Sequence, residues 1–449
     1  MYTAALQVDP ASAILYANLS LVNFKLENYG FAQSSKPHSD ASKAIELDPR
    51  YVKAYYRRGS ALFALSKYKE AIRDLKAVCK IVPDDADAKR KLQCAQKELR
   101  SIQFAESIET ERALPVLNSD SMVVPETYAG PVFPENGTID AEWVQGLMAY
   151  YRGQKAVHKK FIVQMLNKVR SLFTSYPSLI TVSIPTDGEM TVCGDVHGQY
   201  YDLMTIFERN GPPSPTNPYL FNGDFVDRGS FSVEVVMTLI AWKLCYPDHF
   251  HMLRGNHETR NMNKVYGFEG EVKEKYDESV MNLFSEVFCC LPLAAVINSK
   301  VLVLHGGLFS RDGITLDDIR RINRFMEPPE SGIMSELLWS DPSKERGWSQ
   351  SKRGVGVAFG PDVAHRFLDA NGLDLLIRSH EMKDDGYEVE ADGRVITIFS
   401  APNYCDQMHN KGAYIRLSAA NLKPRFTAFP AVPHPPVPAM KYARPFMMF

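Results

Sequence analysis

The sequence predicts two folds in one chain, an all-α segment of helical repeats followed by a larger α/β domain. Three observations carry this expectation. Within the first hundred residues, small and helix-breaking residues recur at a fixed period. After about residue 137, short apolar runs alternate with helical stretches, the pattern of strands and helices sharing a core. At 449 residues the chain also exceeds one ordinary core, so a second domain of about 300 residues is expected.

Gly59, Ala71 and Pro83 are spaced by twelve and twelve, and Pro49 lies 34 before Pro83. This spacing resembles the tetratricopeptide repeat, a pair of helices with small residues where they approach closely. Residues 51–65 and 68–78 are expected as one amphipathic pair, and residues from 85 to about 110 as a capping helix. Pro10 closes an earlier unit whose first helix has no counterpart, so the chain reads as a shortened form of a longer protein. From Ala32 to Pro49 the spacing is seventeen where twelve is expected. Ser34-Ser35-Lys36-Pro37-His38 therefore reads as an insertion at a helix, where an interior proline costs about 3 kcal/mol. The repeat domain is assigned to residues 1–100, a helix and Pro-rich linker to 101–136, the α/β domain to 137–430 and a Pro-rich extended tail to 431–449.

Composition excludes several classes. A formal net charge of -2 argues against nucleic acid as a partner, because such a binder needs a basic excess to displace counterions. The amino terminus has no charged start followed by an apolar stretch, so no secretory signal is read. The longest apolar run, Phe288 to Ile297, contains Pro292 and is too short to span a bilayer; it reads as a buried strand. Seven cysteines without close metal-ligand pairs suggest reduced thiols and a cytoplasmic and nuclear location, with Cys289 and Cys290 as core packing.

Six sites share one grammar, a short apolar run ending in a polar, ligand-type residue. They end in Gly194-Asp195-Val196-His197-Gly198, in Asn222-Gly223-Asp224 through Gly229, and in Arg254-Gly255-Asn256-His257-Glu258. The others are His305-Gly306-Gly307, Arg378-Ser379-His380-Glu381 and Ser400-Ala401-Pro402-Asn403-Tyr404. Ligand sites in open α/β sheets lie outside the carboxyl ends of strands, so these clusters are expected on one rim. Carboxylate, amide and imidazole donors together suit first-row divalent ions with open positions. Two such ions bridged by one carboxylate clamp a phosphoryl oxygen and activate water.

From about Glu135 to Pro430, with GDVHG, GDFVDRG, LRGNHE, HGGL, RSHE and SAPNYC all complete, the chain resembles the phosphoprotein phosphatase family of serine/threonine phosphatases. The resemblance implies a metallophosphoesterase-type β-sandwich flanked by helices. It implies hydrolysis of phosphoserine and phosphothreonine in phosphoprotein substrates by a hydroxide that two divalent ions activate, Mn2+ or an Fe/Zn pair. Carried over by position, Asp195, His197 and Asp224 hold one ion; Asp224, Asn256, His305 and His380 hold the other. His257 is the implied general acid, Asp227 its partner, and Arg228, Arg353 and Tyr404 contact substrate.

The repeat segment resembles carboxylate-clamp modules that grip the acidic C-terminal tail of the 90-kDa heat-shock chaperone. Asn18, Lys53 and Arg57 fall on clamp positions, while the residues of the absent first helix have no counterpart. The family also implies autoinhibition, with Glu27 as a carboxylate that reaches the arginines. Two other readings compete: a scaffold carrying a dead phosphatase domain, and a phosphodiesterase or nuclease on the same metal core. No ligand position is missing, which disfavours the first, and Asp227-Arg228-Gly229 with Ser400 to Cys405 disfavours the second.

Overall fold

The computed structural model describes residues 2–28, 37–64, 67–108 and 117–443. The chain folds as two units, one containing the helices before residue 116 and one spanning residues 117–444.

The first unit is all helical: α1 (Tyr2–Val8), α2 (Ala13–Asn28), α3 (Pro37–Leu47), α4 (Val52–Ala64), α5 (Tyr68–Ile81) and α6 (Ala86–Ile108). Pro10, Pro49 and Pro83 each fall in the turn just after a helix, where a residue without an N–H ends the ladder at no cost. Gly59 of α4 faces Leu75 of α5, and a Cβ there would lie 3.1 Å from Leu75 Cγ. Ala71 of α5 is also fully buried, as expected of a small residue where packed helices approach closely. The insertion reads differently in the fold. Pro37 is the first residue of α3 rather than an interior break, the position where its fixed φ and missing N–H are tolerated. Ser34, Ser35 and Lys36 lie outside the described residues.

In the second unit the strands are, in chain order, β1 (Leu179–Val182), β2 (Glu189–Cys193), β3 (Tyr219–Phe221), β4 (Phe250–Met252), β5 (Ala294–Ile297), β6 (Val301–Leu304) and β7 (Asp341–Pro342). There follow β8 (Trp348–Gln350), β9 (Val357–Phe359), β10 (Leu375–Arg378), β11 (Tyr387–Glu390), β12 (Val395–Ile398), β13 (Gly412–Ser418) and β14 (Pro424–Phe429). They form a six-stranded sheet, β1-β5-β6-β10-β12-β11, a five-stranded sheet, β14-β13-β2-β3-β4, and a small sheet, β7-β9-β8. Val192, Leu220, Ile297, Val303, Ile377, Ile396 and Ile415 meet between the two large sheets in one dry layer. Their β-branched and Leu side chains suit a pleated, doubly covered surface. Helices Lys159–Thr174, Ser232–Cys245 and Glu278–Cys290 cover the outer face of the five-stranded sheet, and Pro361–Ala370 covers the other. The expected β-sandwich flanked by helices is therefore the fold.

The apolar run at Phe288–Ile297 is not one strand. It is the end of a helix (Glu278–Cys290), a connection through Pro292, and then β5. The proline removes the N–H that either element would need to continue. Cys290 is buried against the helical core and Cys289 is half-buried beside Arg254.

Residues 117–136 pack onto the second unit, with Phe133 buried beside Trp143. Residues 431–443 have no regular structure, yet Met440 and Ala443 are buried on the same unit.

Candidate metal centre and active site

Strands β2, β3 and β4 run parallel in one sheet, and β6, β10 and β12 run parallel in the other. All six ligand-type clusters follow the carboxyl ends of these strands. The sheets are stitched together at that rim. Asn222 Nδ2 donates to the Leu304 carbonyl (2.8 Å) and to Ser379 Oγ (2.9 Å), and the Gly194 N–H donates to Ser400 Oγ (2.8 Å). Gly194 must be glycine because a Cβ would sit 2.1 Å from the Ile398 carbonyl oxygen.

The six expected ligands converge in one buried cavity. The Oδ2 of Asp224 lies 3.4 Å from His197 Nε2 and 3.3 Å from His305 Nε2. Asp195 lies 3.7 Å from His197 Nε2. Two groups of side chains stand close enough to share an ion, His197 with Asp224 and His257, and Asp224 with His305 and His380. Asp224 belongs to both.

Hydrogen bonds to the main chain aim the imidazoles. His197 Nδ1 faces the Val226 carbonyl at 2.9 Å, and His305 Nδ1 faces the Asn222 carbonyl at 2.8 Å. Each Nδ1 therefore carries its proton and turns an Nε2 lone pair inward. At His305 that lone pair meets Asn256 Oδ1 at 2.8 Å, two acceptors face to face. A cation near them turns this repulsion into coordination. His380 Nε2 is buried without a hydrogen-bond partner among the described residues, which leaves its lone pair open to an ion.

The carboxylates support the same reading. Burial and then the charge of Asp224 push Asp195 up to about 8, and burial pushes Asp224 up to about 8 against the hydrogen bond from the His257 N–H. Burial lowers His197, His305 and His380, leaving neutral imidazoles suited to a metal. The residues present fit a pair of divalent ions.

Beside this cavity, His257 Nδ1 lies 2.9 Å from Asp227 Oδ2. Asn263 Nδ2 and the Phe268 N–H hold the two Asp227 oxygens at 3.1 and 2.9 Å. The guanidinium of Arg228 lies 3.8 Å above the Tyr266 ring, and Arg353 donates from Nε to Asp341 Oδ2 at 2.6 Å. The Tyr404 ring stands 5.2 Å from the His197 ring. His197, Asp224, Asp227, Arg228 and His380 all have positive φ, between 39° and 72°. Each such non-glycine residue costs about 1–3 kcal/mol, and strain of this kind collects where geometry serves chemistry.

Sequence reasoning missed three supporting residues. Glu258 is fully buried and accepts the N–H groups of Asp224, Phe225 and Gly255, each at 2.8 Å, so it shapes the loop that carries the shared ligand. Asn263 orients Asp227, and Asp341 anchors both Arg353 and Arg378. Glu258 stands inside a quoted motif and was readable as part of it. Asn263 and Asp341 carry no local signal.

In the other unit, Arg57 Nη1 donates to Asn18 Oδ1 at 3.0 Å. Lys53 lies one turn before Arg57 on α4 and is exposed. The Glu27 side chain lies outside the described residues.

Residues 189–384 match the family described as calcineurin-like phosphoesterase, and residues 92–181 match the PPP5 TPR repeat region. The chain is 52% identical to human serine/threonine-protein phosphatase 5 over 98% of its own length and 88% of that protein. It is 46% identical to serine/threonine-protein phosphatase T of Trypanosoma brucei, over 100% of this chain and 94% of that one. A solved structure of a Saccharomyces cerevisiae protein serine/threonine phosphatase superimposes with a TM-score of 0.66 at 40% identity, covering 68% of this chain and 100% of that chain.

Proposed function

This chain belongs to the family of serine/threonine-protein phosphatases 5 and T, and on that premise we propose which of its residues carry the reaction. It is a protein serine/threonine phosphatase, with a metal-binding phosphoesterase domain and a repeat region for protein interaction.

Asp195, His197 and Asp224 would hold one divalent ion, and Asp224, Asn256, His305 and His380 the second. Asp224 stands in both groups of close donors; Asp195 adds to the first at 3.7 Å from His197 Nε2, and Asn256 to the second at 2.8 Å from His305 Nε2. His257, also near the first group, is kept for the proton because its Nδ1 is held by Asp227. When bound, the ions supply Lewis-acid activation of water and neutralise charge on the phosphoryl group. Oxygen and imidazole donors suit manganese, or an iron and zinc pair.

Arg228 and Arg353 hold the phosphate oxygens, which the planar guanidinium fork matches better than an ammonium. Tyr404 borders the same pocket. Asp227 takes the proton side of His257 Nδ1 and leaves Nε2 for the leaving group. Burial, and then the charge of Arg228, holds the free imidazole neutral. A dianionic phosphate seated between the arginines offsets that charge, so His257 takes up a proton and delivers it to the departing seryl or threonyl oxygen. A phosphocysteine route is disfavoured, because burial pushes the Cys405 thiol up to about 11 and raises Cys193 well above the ordinary thiol range.

Steady-state turnover of a phosphoserine peptide against a bis-ester tests this function. Release of one inorganic phosphate per peptide, with slow bis-ester cleavage, is the expected result. Preference for the bis-ester would contradict it.

The Asn18–Arg57 pair with Lys53 is proposed to take the acidic carboxyl-terminal tail of the 90-kDa heat-shock chaperone. The repeat region is also proposed to restrain basal activity, so deletion of residues 1–110 raises turnover; unaltered turnover would count against it. Seven unpaired cysteines fit a reducing compartment, and cytoplasmic and nuclear location belongs to the same proposal, checked by imaging a tagged chain.

A further inference from the structure

We propose that residues 438–443 form a strap that positions Arg228 for phosphate binding, an inference that rests on the role given to Arg228 above. Arg228 has φ +70°, a conformation that a long side chain adopts only where its surroundings enforce it. Its main chain is held on both sides. The Arg228 N–H donates to the Tyr266 carbonyl at 3.1 Å, and its carbonyl accepts the Met440 N–H at 2.7 Å. Ser230 latches the strap, its hydroxyl donating to the Pro438 carbonyl (2.7 Å) and accepting the Lys441 N–H (3.2 Å).

The strap continues over the corner that holds Asp227. A Cβ on Gly270 would lie 2.4 Å from the Tyr442 carbonyl oxygen, so the main chains touch there. Gly267, in the same corner, faces the Ala443 nitrogen at 3.3 Å from its would-be Cβ, and its neighbour Phe268 donates to Asp227 Oδ1. One segment thus backs both the phosphate-binding arginine and the carboxylate beside the general acid. Displacing it frees the Arg228 carbonyl, lets the residue relax, and moves a guanidinium whose two-pronged contact tolerates little misplacement.

The test uses the full, metal-loaded chain with its ions counted. Ser230→Ala cuts both latch bonds, and Gly270→Val pushes Tyr442 away from the opposite side. In each, the inhibition constant of inorganic phosphate and the KM for a phosphoserine peptide should rise together, about three- to tenfold, with kcat changed less. Ser230→Thr, which keeps the hydroxyl, should restore both. In an Arg228→Ala background, which weakens phosphate further, adding Ser230→Ala should change nothing more. Unaltered phosphate affinity in the latch variants, or losses that simply add to Arg228→Ala, would overturn the strap and leave the role of Arg228 standing. Unaltered phosphate affinity in Arg228→Ala would overturn that role and the strap with it. The two variants approach from different sides, so one that fails to fold leaves the other to decide.

Discussion

His257 Nδ1 and Asp227 Oδ2 lie 2.9 Å apart, and the carboxylate is pinned on its other sides by Asn263 and the Phe268 N–H. That restraint sets which imidazole nitrogen faces the cavity. His257→Asn should therefore lower kcat by about two to four orders of magnitude while leaving metal content unchanged. Asp227→Asn should lower kcat less and displace the pH profile. Normal turnover in His257→Asn with both ions present would remove it as the acid.

Glu258 gathers three main-chain N–H groups beneath Asp224. Glu258→Gln sets an amide NH2 against one of them inside a sealed site, which costs about 1–3 kcal/mol. Thermal unfolding should show a lower midpoint for the second unit together with weaker metal affinity; an unchanged midpoint would show that the loop does not depend on this carboxylate.

The strand-end clusters were legible because each combines an apolar run with ligand-type residues within a few positions, and both signals are local. Asn263 and Asp341 act on segments far away in sequence, so nothing beside them announces the role. Glu258 stands inside a motif, but two of the three N–H groups it gathers belong to the distant Asp224 and Phe225. The run from Phe288 to Ile297 looked uniform because hydrophobicity alone does not separate a buried helix end from a strand; Pro292 held the clue. Pro37 opens α3 rather than interrupting it, which spacing does not reveal for a related reason: it counts residues but does not say on which side of a helix start a proline falls. Residues 431–443 read as a plain tail because they follow no helix or strand period. Main-chain N–H bonds at Val432, Met440 and Lys441, the His434–Asp406 pair and buried Met440 nonetheless fasten them to the domain.

Lys243 is buried, with Nζ donating to the Pro247 carbonyl at 2.5 Å and lying over the Tyr176 ring. Burial lowers it from 10.5 to about 7. Between those values the folded chain binds fewer protons than the unfolded one, so its stability should rise as pH goes from 7 towards 10. Lys243→Met abolishes this contribution, and the variant should exceed the parent most near pH 7 and converge with it by pH 10. The gap should close by at most about 1.4 kcal/mol per pH unit. Denaturant unfolding at several pH values measures it, and a pH-independent gap would contradict burial of a titrating lysine.

Arg57 Nη1 donates to Asn18 Oδ1 at 3.0 Å, the contact on which the proposed carboxylate clamp rests. Arg57→Ala should weaken binding of an acidic chaperone-tail peptide about tenfold or more, and amidating the peptide carboxyl should do the same to the parent. Calorimetry with both peptides decides it, and equal affinity for the amidated peptide would rule out a clamp.

The proposed sharing of Asp224 by two ions rests on its Oδ2, 3.4 Å from His197 Nε2 and 3.3 Å from His305 Nε2. Metal analysis by plasma emission on the purified chain and on Asp224→Asn tests it most directly. The expected result is two ions per parent chain and loss of both from the variant at equal metal exposure. One ion in the parent, or two held as tightly by Asp224→Asn, would contradict a shared carboxylate between paired cations.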